Sequence, residues 1–146
     1  LNLQSQLLSY AGANNPLWII SKQKKMLEIN ENPLFIPYPD LNNDYIIYEL
    51  KPDKQPIGFG ENIKDFTNHT IQLQKGDFLY LFTDGYADQF GGEKGKKFKY
   101  KQLAKLLINN VTLNVIDQKA CINEAFINWK QTNEQVDDVC IIGIGI

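Results

Sequence analysis

Two short apolar runs, each next to aspartate, constrain the fold of this chain more than any other feature of its sequence. Phe78–Phe82 reads Phe-Leu-Tyr-Leu-Phe and is followed within two residues by Asp84. The final run, Val139–Ile146, directly follows Asp137 and Asp138. Neither run alternates apolar with polar residues, which is the pattern of strands covered on both faces. The sequence therefore predicts a layered protein whose sheet is buried.

The first half of the chain is predicted to consist of strands separated by turns. Leu7–Tyr10 and Leu17–Ser21 flank the turn sequence Ala-Gly-Ala-Asn-Asn-Pro and are expected to form a hairpin-like pair. Met26–Asn30 is predicted as a third strand, and Tyr45–Leu50 has the Tyr and Ile content of a fourth. Lys51–Gly60 contains two prolines and two glycines and is predicted to be a loop or flap.

The remainder predicts a second hairpin and then helices. Thr70–Leu73 and Phe78–Thr83 flank a Lys-Gly-Asp turn, which is typical of a hairpin. Apolar residues at helical spacing begin at Tyr100, and Asn114 is predicted to cap a longer helix. A chain of 146 residues with strands first and helices last indicates a single α+β domain.

Composition excludes several functional classes. All 15 basic residues are lysine and the net charge is −2, so the chain lacks arginine, the preferred bidentate reader of guanine. We therefore expect no nucleic-acid partner. No apolar run approaches the roughly 20 residues that cross a bilayer, so we expect no membrane contact. Cys121 and Cys140 lie in apolar surroundings and are predicted to be buried free thiols, which indicates a cytoplasmic protein.

Carboxylates at strand ends are candidate metal ligands. Asp84 ends one apolar strand, and Asp137 and Asp138 begin another. If the two strands are adjacent, these side chains offer the hard oxygen ligands that Mg²⁺ or Mn²⁺ prefer, and Gly85 would let the backbone turn closely around an ion. The residues alone also fit a simpler interpretation, since Asp-Gly is a common turn and paired aspartates are often solvated surface.

Four segments together resemble the metal-dependent (2C-type, or PPM) serine/threonine protein phosphatases, and specifically the branch of stage II sporulation protein E. They are Tyr10–Trp18, Pro56–Gly58, Leu79–Gly85 and Gln135–Val139, which occur in the family's order and at compatible spacings. The resemblance implies an αββα four-layer sandwich. It also implies two divalent ions, Mn²⁺ or Mg²⁺, and hydrolysis of phosphoserine or phosphothreonine on a partner protein.

Carried over by position, the resemblance assigns metal ligation to Asp84 and Asp137, with Asp138 as a lesser candidate. Pro56, Ile57 and Gly58 correspond to the flap loop, which shapes the cleft and is not catalytic. Gly85 completes the Thr-Asp-Gly motif. The family's first metal-binding motif is expected before Leu7 and is absent here.

These observations lead us to expect that residues 1–146 are the C-terminal part of one PPM-type phosphatase domain, without its N-terminal portion. Such a part is expected to be inactive alone and to self-associate through an exposed sheet edge. The partner that the resemblance implies is a phosphorylated regulatory protein of the anti-sigma-antagonist type. Two alternatives remain open: a non-catalytic, phosphatase-like module that binds a partner, or a phosphotransfer protein in which Asp84 itself accepts the phosphoryl group.

Overall fold

A computed structural model describes residues 1–22, 34–35, 44–60 and 63–146 of the chain. The strands are β1 (Leu7–Tyr10), β2 (Leu17–Lys22), β3 (Leu34–Phe35), β4 (Tyr45–Leu50), β5 (His69–Gln72), β6 (Phe78–Phe82), β7 (Phe90–Gly91), β8 (Lys96–Lys97) and β9 (Ile141–Gly145). The helices are α1 (Gly85–Asp88), α2 (Tyr100–Asn110) and α3 (Val115–Lys130).

The central element is a five-stranded sheet in the order β3-β4-β2-β6-β9, in which all four neighbouring pairs are antiparallel. A separate two-stranded sheet pairs β1 with β5. The short strands β7 and β8 form a third pair. Mixed strands and helices in this arrangement confirm the α+β prediction.

Each face of the five-stranded sheet has its own core. On one face, the sheet packs against the helices through Trp18, Tyr80 and Phe82, which contact Leu103 and Leu107 of α2. The other face packs against the two-stranded sheet in a cluster that includes residues from β1, β2, β4, β5 and β6. The described chain therefore stacks as a small sheet, a larger sheet and a helical layer, which are three of the four layers of an αββα sandwich.

Both predicted hairpins are wrong, although their strands are present. β1 pairs with β5 instead of β2, and β6 pairs with β2 and β9 instead of β5. The turn sequences do reverse the chain, but each reversal carries it from one sheet to the other. The third strand predicted at Met26–Asn30 lies outside the described residues.

The last strand is shorter and less covered than predicted. β9 spans Ile141–Gly145 and is an edge strand whose one described neighbour is β6. Ile142 is 50% exposed and Ile144 is 37% exposed, because the β1–β5 sheet does not reach across this side. Gly143 leaves room for a neighbouring ring, since a Cβ there would lie 3.1 Å from Tyr80 Cε1.

The helical half follows its sequence signals. α2 begins at Tyr100 as predicted and ends at Asn110. At the start of α3, the Asn114 side chain accepts hydrogen bonds from the backbone N–H groups of Ile116 (3.0 Å) and Asp117 (2.9 Å). Ile122, Phe126 and Trp129 pack against the core as partly buried side chains.

The two cysteines are not buried as predicted. Cys121 is half-buried on α3, and Cys140 is exposed, because it precedes an edge strand. The inference of a cytoplasmic protein from buried thiols therefore loses its basis. Within the described ranges, no helix is long and apolar enough to span a membrane.

Candidate functional site

Four strand ends meet at one edge of the five-stranded sheet. Leu17 at the start of β2 pairs with Leu50 at the end of β4 and with Leu81 near the end of β6. Phe82 at the end of β6 pairs with Ile141 at the start of β9. Asp84 and the pair Asp137–Asp138 therefore lie at the same edge, on adjacent strands. We call this the acidic edge.

Thr83 fastens the two acidic segments to each other. Its hydroxyl donates a hydrogen bond to the Asp138 carbonyl oxygen (2.7 Å) and accepts one from the Cys140 N–H (3.0 Å). Its own N–H donates to the Cys140 carbonyl oxygen (3.0 Å). Sequence reasoning missed this residue, although a hydroxyl directly before the Asp-Gly dipeptide at a strand end was a usable signal.

Gly85 permits a close approach of the chain. A Cβ at this position would overlap the backbone carbonyl of Asp138 and would lie 3.3 Å from the Cβ of Asp137. Gly85 is buried as the first residue of α1. In this structure the glycine is thus required by the neighbouring acidic segment.

The three carboxylates are solvent-exposed. Asp84 precedes α1 without a side-chain capping bond, so its carboxylate is not used by the helix. Asp137 Oδ1 accepts a hydrogen bond from the Asp138 N–H (2.7 Å), which orders that turn. Burial, and then the carboxylates of Asp84, Asp88 and Glu49, raise the pKa of the Tyr100 phenol, so this side chain stays neutral at physiological pH.

The described residues do not fit a complete metal site. Across the described ranges there is no group of three or more His, Cys, Asp or Glu side chains that could hold an ion. Hard divalent cations take about six oxygen ligands, more than Asp84, Asp137 and Asp138 supply. Metal ligation by these residues stays a prediction, and at most they contribute part of a site.

The predicted flap is a loop, as expected, and its tip is exposed to solvent. Ile57 is 85% exposed, and no atom lies within 4 Å of where a Cβ of Gly58 would be. Gly58 has φ +124°, a backbone conformation that favours glycine. Pro56 is likewise exposed. The loop begins at Lys51, directly after the end of β4, and so starts at the acidic edge.

A cavity of about 570 Å³ lies between α3 and the sheet. Its lining is mostly apolar and includes Phe78, Ile122 and Phe126. None of the predicted site residues lines it. Val139, which directly follows Asp138, is part of its lining.

Comparisons with known proteins give one family match and one structural match. The family model described as Stage II sporulation protein E (SpoIIE) matches residues 1–146. The solved SiaA-PP2C domain of Pseudomonas aeruginosa is similar in structure, with a TM-score of 0.72 and 24% sequence identity. The match covers 98% of this chain and 48% of the solved one, so this chain spans about half the length of that domain. No curated protein matches the chain. The described elements thus form part of a phosphatase 2C-like fold.

Proposed function

The chain belongs to the Stage II sporulation protein E family, and from this premise we propose that it contributes one side of the active site of a protein phosphatase. The reaction is removal of the phosphoryl group from phosphoserine or phosphothreonine on a regulatory protein of the anti-sigma-antagonist type, in the cytoplasm. The observation that carries the proposal is the acidic edge, where Thr83 holds the segments of Asp84 and Asp138 together.

Asp84, Asp137 and Asp138 are proposed to act through divalent cations. The family is metal-dependent, and a bound Mn²⁺ or Mg²⁺ pair would supply an acidified water and charge neutralisation at the phosphoryl group. This chain's own contribution is positional: antiparallel strands and the Thr83 hydroxyl fix where the carboxylates stand. Rigid elements hold such groups more accurately than loops do.

Asparagine variants of the full-length protein test this proposal. Asp84→Asn and Asp137→Asn keep side-chain size and remove the charge, so each is expected to lower Mn²⁺-dependent hydrolysis of a phosphothreonine peptide at least a hundredfold. Melting without metal should barely change, because both side chains are exposed.

Asp44→Asn is the matched control. Asp44 is exposed and directly precedes β4, at the opposite edge of the sheet, so its neutralisation should leave activity unchanged. Full activity of the Asp84 and Asp137 variants would refute the assignment. A wild-type protein that binds its phosphorylated partner without hydrolysis would instead identify a non-catalytic module. Covalent labelling of Asp84 by a phosphoryl donor would identify a phosphotransfer protein.

A further inference from the structure

A second cavity, of about 490 Å³, adjoins the acidic edge. We call it the lysine cavity. Its polar lining comes from Asn14, Glu49, Lys51, Lys54 and Tyr100. Because Lys51 directly follows β4, whose end pairs with the start of β2, the cavity lies at the same edge of the sheet as the aspartates.

The aromatic wall of the lysine cavity connects it to Asp84. Trp18, which also lines the cavity, packs against Phe82 with ring centroids 4.7 Å apart. Tyr100 lies 6.2 Å from Trp18 and 6.0 Å from Phe82 between ring centroids. Phe82 precedes Asp84 by two residues, so one aromatic cluster supports both features.

The two walls of the cavity are joined by reciprocal backbone hydrogen bonds. The Asp53 N–H donates to the Gly12 carbonyl oxygen, and the Asn14 N–H donates to the Asp53 carbonyl oxygen, both at 2.9 Å. The Asp53 carboxylate accepts hydrogen bonds from the Thr67 N–H (2.7 Å) and hydroxyl (3.0 Å). Lys51 and Lys54 flank this anchored residue. The lysines therefore extend from a fixed backbone.

The groups that face the cavity are mostly hydrogen-bond donors. Lys51 and Lys54 carry exposed ammonium groups. In the described part of the chain, neither lies within salt-bridge distance of a carboxylate, and the salt bridge there joins Lys97 to Asp88. The Asn14 amide and the Tyr100 phenol add neutral donors. The one carboxylate of the lining, Glu49, accepts a hydrogen bond from Trp18 Nε1 (2.8 Å).

This combination suits an oxyanion. A phosphoserine or phosphothreonine side chain carries a charge of about −1.5 to −2, and without bound cations the carboxylates of the acidic edge repel it. Cations on the adjoining side offset that repulsion. We infer that the lysine cavity is the subsite that receives the phosphoryl group of the substrate, with Lys51 and Lys54 as its cationic contacts and Tyr100 as a hydroxyl donor.

This inference deepens the proposed function and rests on it for the identity of the substrate, but the binding step can be measured without hydrolysis. The probe is inorganic phosphate, titrated into the full-length protein in the presence of a chelator and followed by calorimetry or ³¹P NMR. We expect Lys51→Gln/Lys54→Gln to weaken phosphate binding about tenfold, since each exposed lysine contributes only a modest, solvent-screened attraction. Tyr100→Phe keeps the ring but removes the hydroxyl, and it is expected to weaken phosphate binding several-fold.

Lys75→Gln is the control for net charge. Lys75 is exposed in the turn before β6, at the opposite edge of the sheet, so phosphate binding should not change. For a phosphothreonine peptide, the double variant should raise KM about tenfold and leave kcat within a factor of two. Unchanged phosphate affinity in the double variant, or no phosphate binding by the wild type, would overturn the subsite. Phosphate binding that depends on the lysines in a protein without hydrolase activity would uphold the subsite and refute the phosphatase proposal.

Discussion

A single hydroxyl group organises the acidic edge at the scale of residues. Thr83 Oγ1 is both donor and acceptor, and its two partners, the Asp138 carbonyl and the Cys140 N–H, belong to the segment that leads into β9. Removing the hydroxyl leaves both backbone groups without this partner. Such losses cost about 1–3 kcal/mol each when the groups are shielded from water, and less when water replaces the bond.

Thr83→Val removes the hydroxyl and keeps the β-branched shape. Both bonds of the hydroxyl are exposed to solvent, so we expect Thr83→Val to lower the free energy of unfolding by about 0.5–1.5 kcal/mol and to accelerate hydrogen exchange at the Cys140 amide. Thr83→Ser keeps the hydroxyl, so its loss of unfolding free energy should be less than half of that in Thr83→Val. Urea unfolding and exchange mass spectrometry measure both effects. Equal stability of the Val and Ser variants would show that the hydroxyl is dispensable.

Gly85→Ala tests the close approach of the two acidic segments. The added methyl group overlaps the Asp138 carbonyl, which belongs to backbone and cannot rotate away. We expect a loss of about 1–3 kcal/mol in the free energy of unfolding. Gly60→Ala is the control, since a Cβ there meets the movable Ile63 side chain at 3.3 Å. Similar melting temperatures for the two alanine variants would contradict this account.

At the scale of elements, one buried hydrogen bond connects the sheet to α3. The Tyr80 hydroxyl on β6 donates to Gln118 Oε1, and both residues are buried. Burial raises the pKa of Tyr80 to about 12. The folded state therefore keeps this proton at pH values where the unfolded chain, with a pKa near 10, has released it.

This difference in pKa predicts alkaline destabilisation. Stability contributed by neutral Tyr80 is fully present below pH 10 and is lost as pH rises from about 10 to 12. Tyr80→Phe should lower stability at pH 7, because Gln118 loses a partner, and should reduce the fall in melting temperature above pH 10. Melting curves from pH 7 to 11.5 measure both. If the melting temperature of the Phe variant falls as steeply above pH 10 as that of the wild type, groups other than Tyr80 cause the alkaline destabilisation.

The elements themselves could be predicted from the sequence, but their pairing could not. Strands β1, β2, β4, β5 and β6 lie where the apolar runs placed them, because local composition decides extended structure. Pairing depends on contacts between residues that are far apart in the sequence. Ala13 illustrates this, since it forms an isolated β-bridge with Asp53, which is 40 residues away in the sequence. The Ala-Gly-Ala-Asn-Asn-Pro turn shows that the chain reverses, without indicating its partner.

The candidate site, too, was predictable from the sequence only in part. The apolar runs placed Asp84 and Asp137 at strand ends, and the β6–β9 register shows that these strands are neighbours and brings both residues to one edge. Thr83, Lys51 and Lys54 were not found, because a hydrogen bond across 55 residues and a cavity wall are properties of the folded chain. Their metal chemistry stays a prediction.

At the scale of the whole molecule, the outer side of β9 is an exposed apolar surface on the sheet. Ile142 and Ile144 lie on the face that the β1–β5 sheet leaves uncovered, and no described strand pairs with the outer edge of β9. Two copies joined antiparallel around Gly143 would place Ile142 of one copy opposite Ile144 of the other. Such cross-strand apolar pairs stabilise a continuous sheet.

We therefore expect a polypeptide of residues 1–146 to self-associate. Light scattering should give a mass above 16.8 kDa at micromolar concentration. Ile144→Lys adds a charge to the edge and should shift the population toward monomer. Ile116→Lys is the control, because Ile116 is 77% exposed on α3. A monomeric wild type, or equal effects of the two lysine variants, would contradict pairing through β9.

The bonds between Thr83 and Cys140 also determine when the acidic edge can exist during folding. They close a loop across 57 residues, so their formation waits for the intervening helices to become compact. Contacts at such separation are entropically costly until much of the chain is ordered. A partly folded chain with α2 and α3 already formed would still have its aspartates far apart. We therefore expect the arrangement of aspartates at this edge to form together with the global fold.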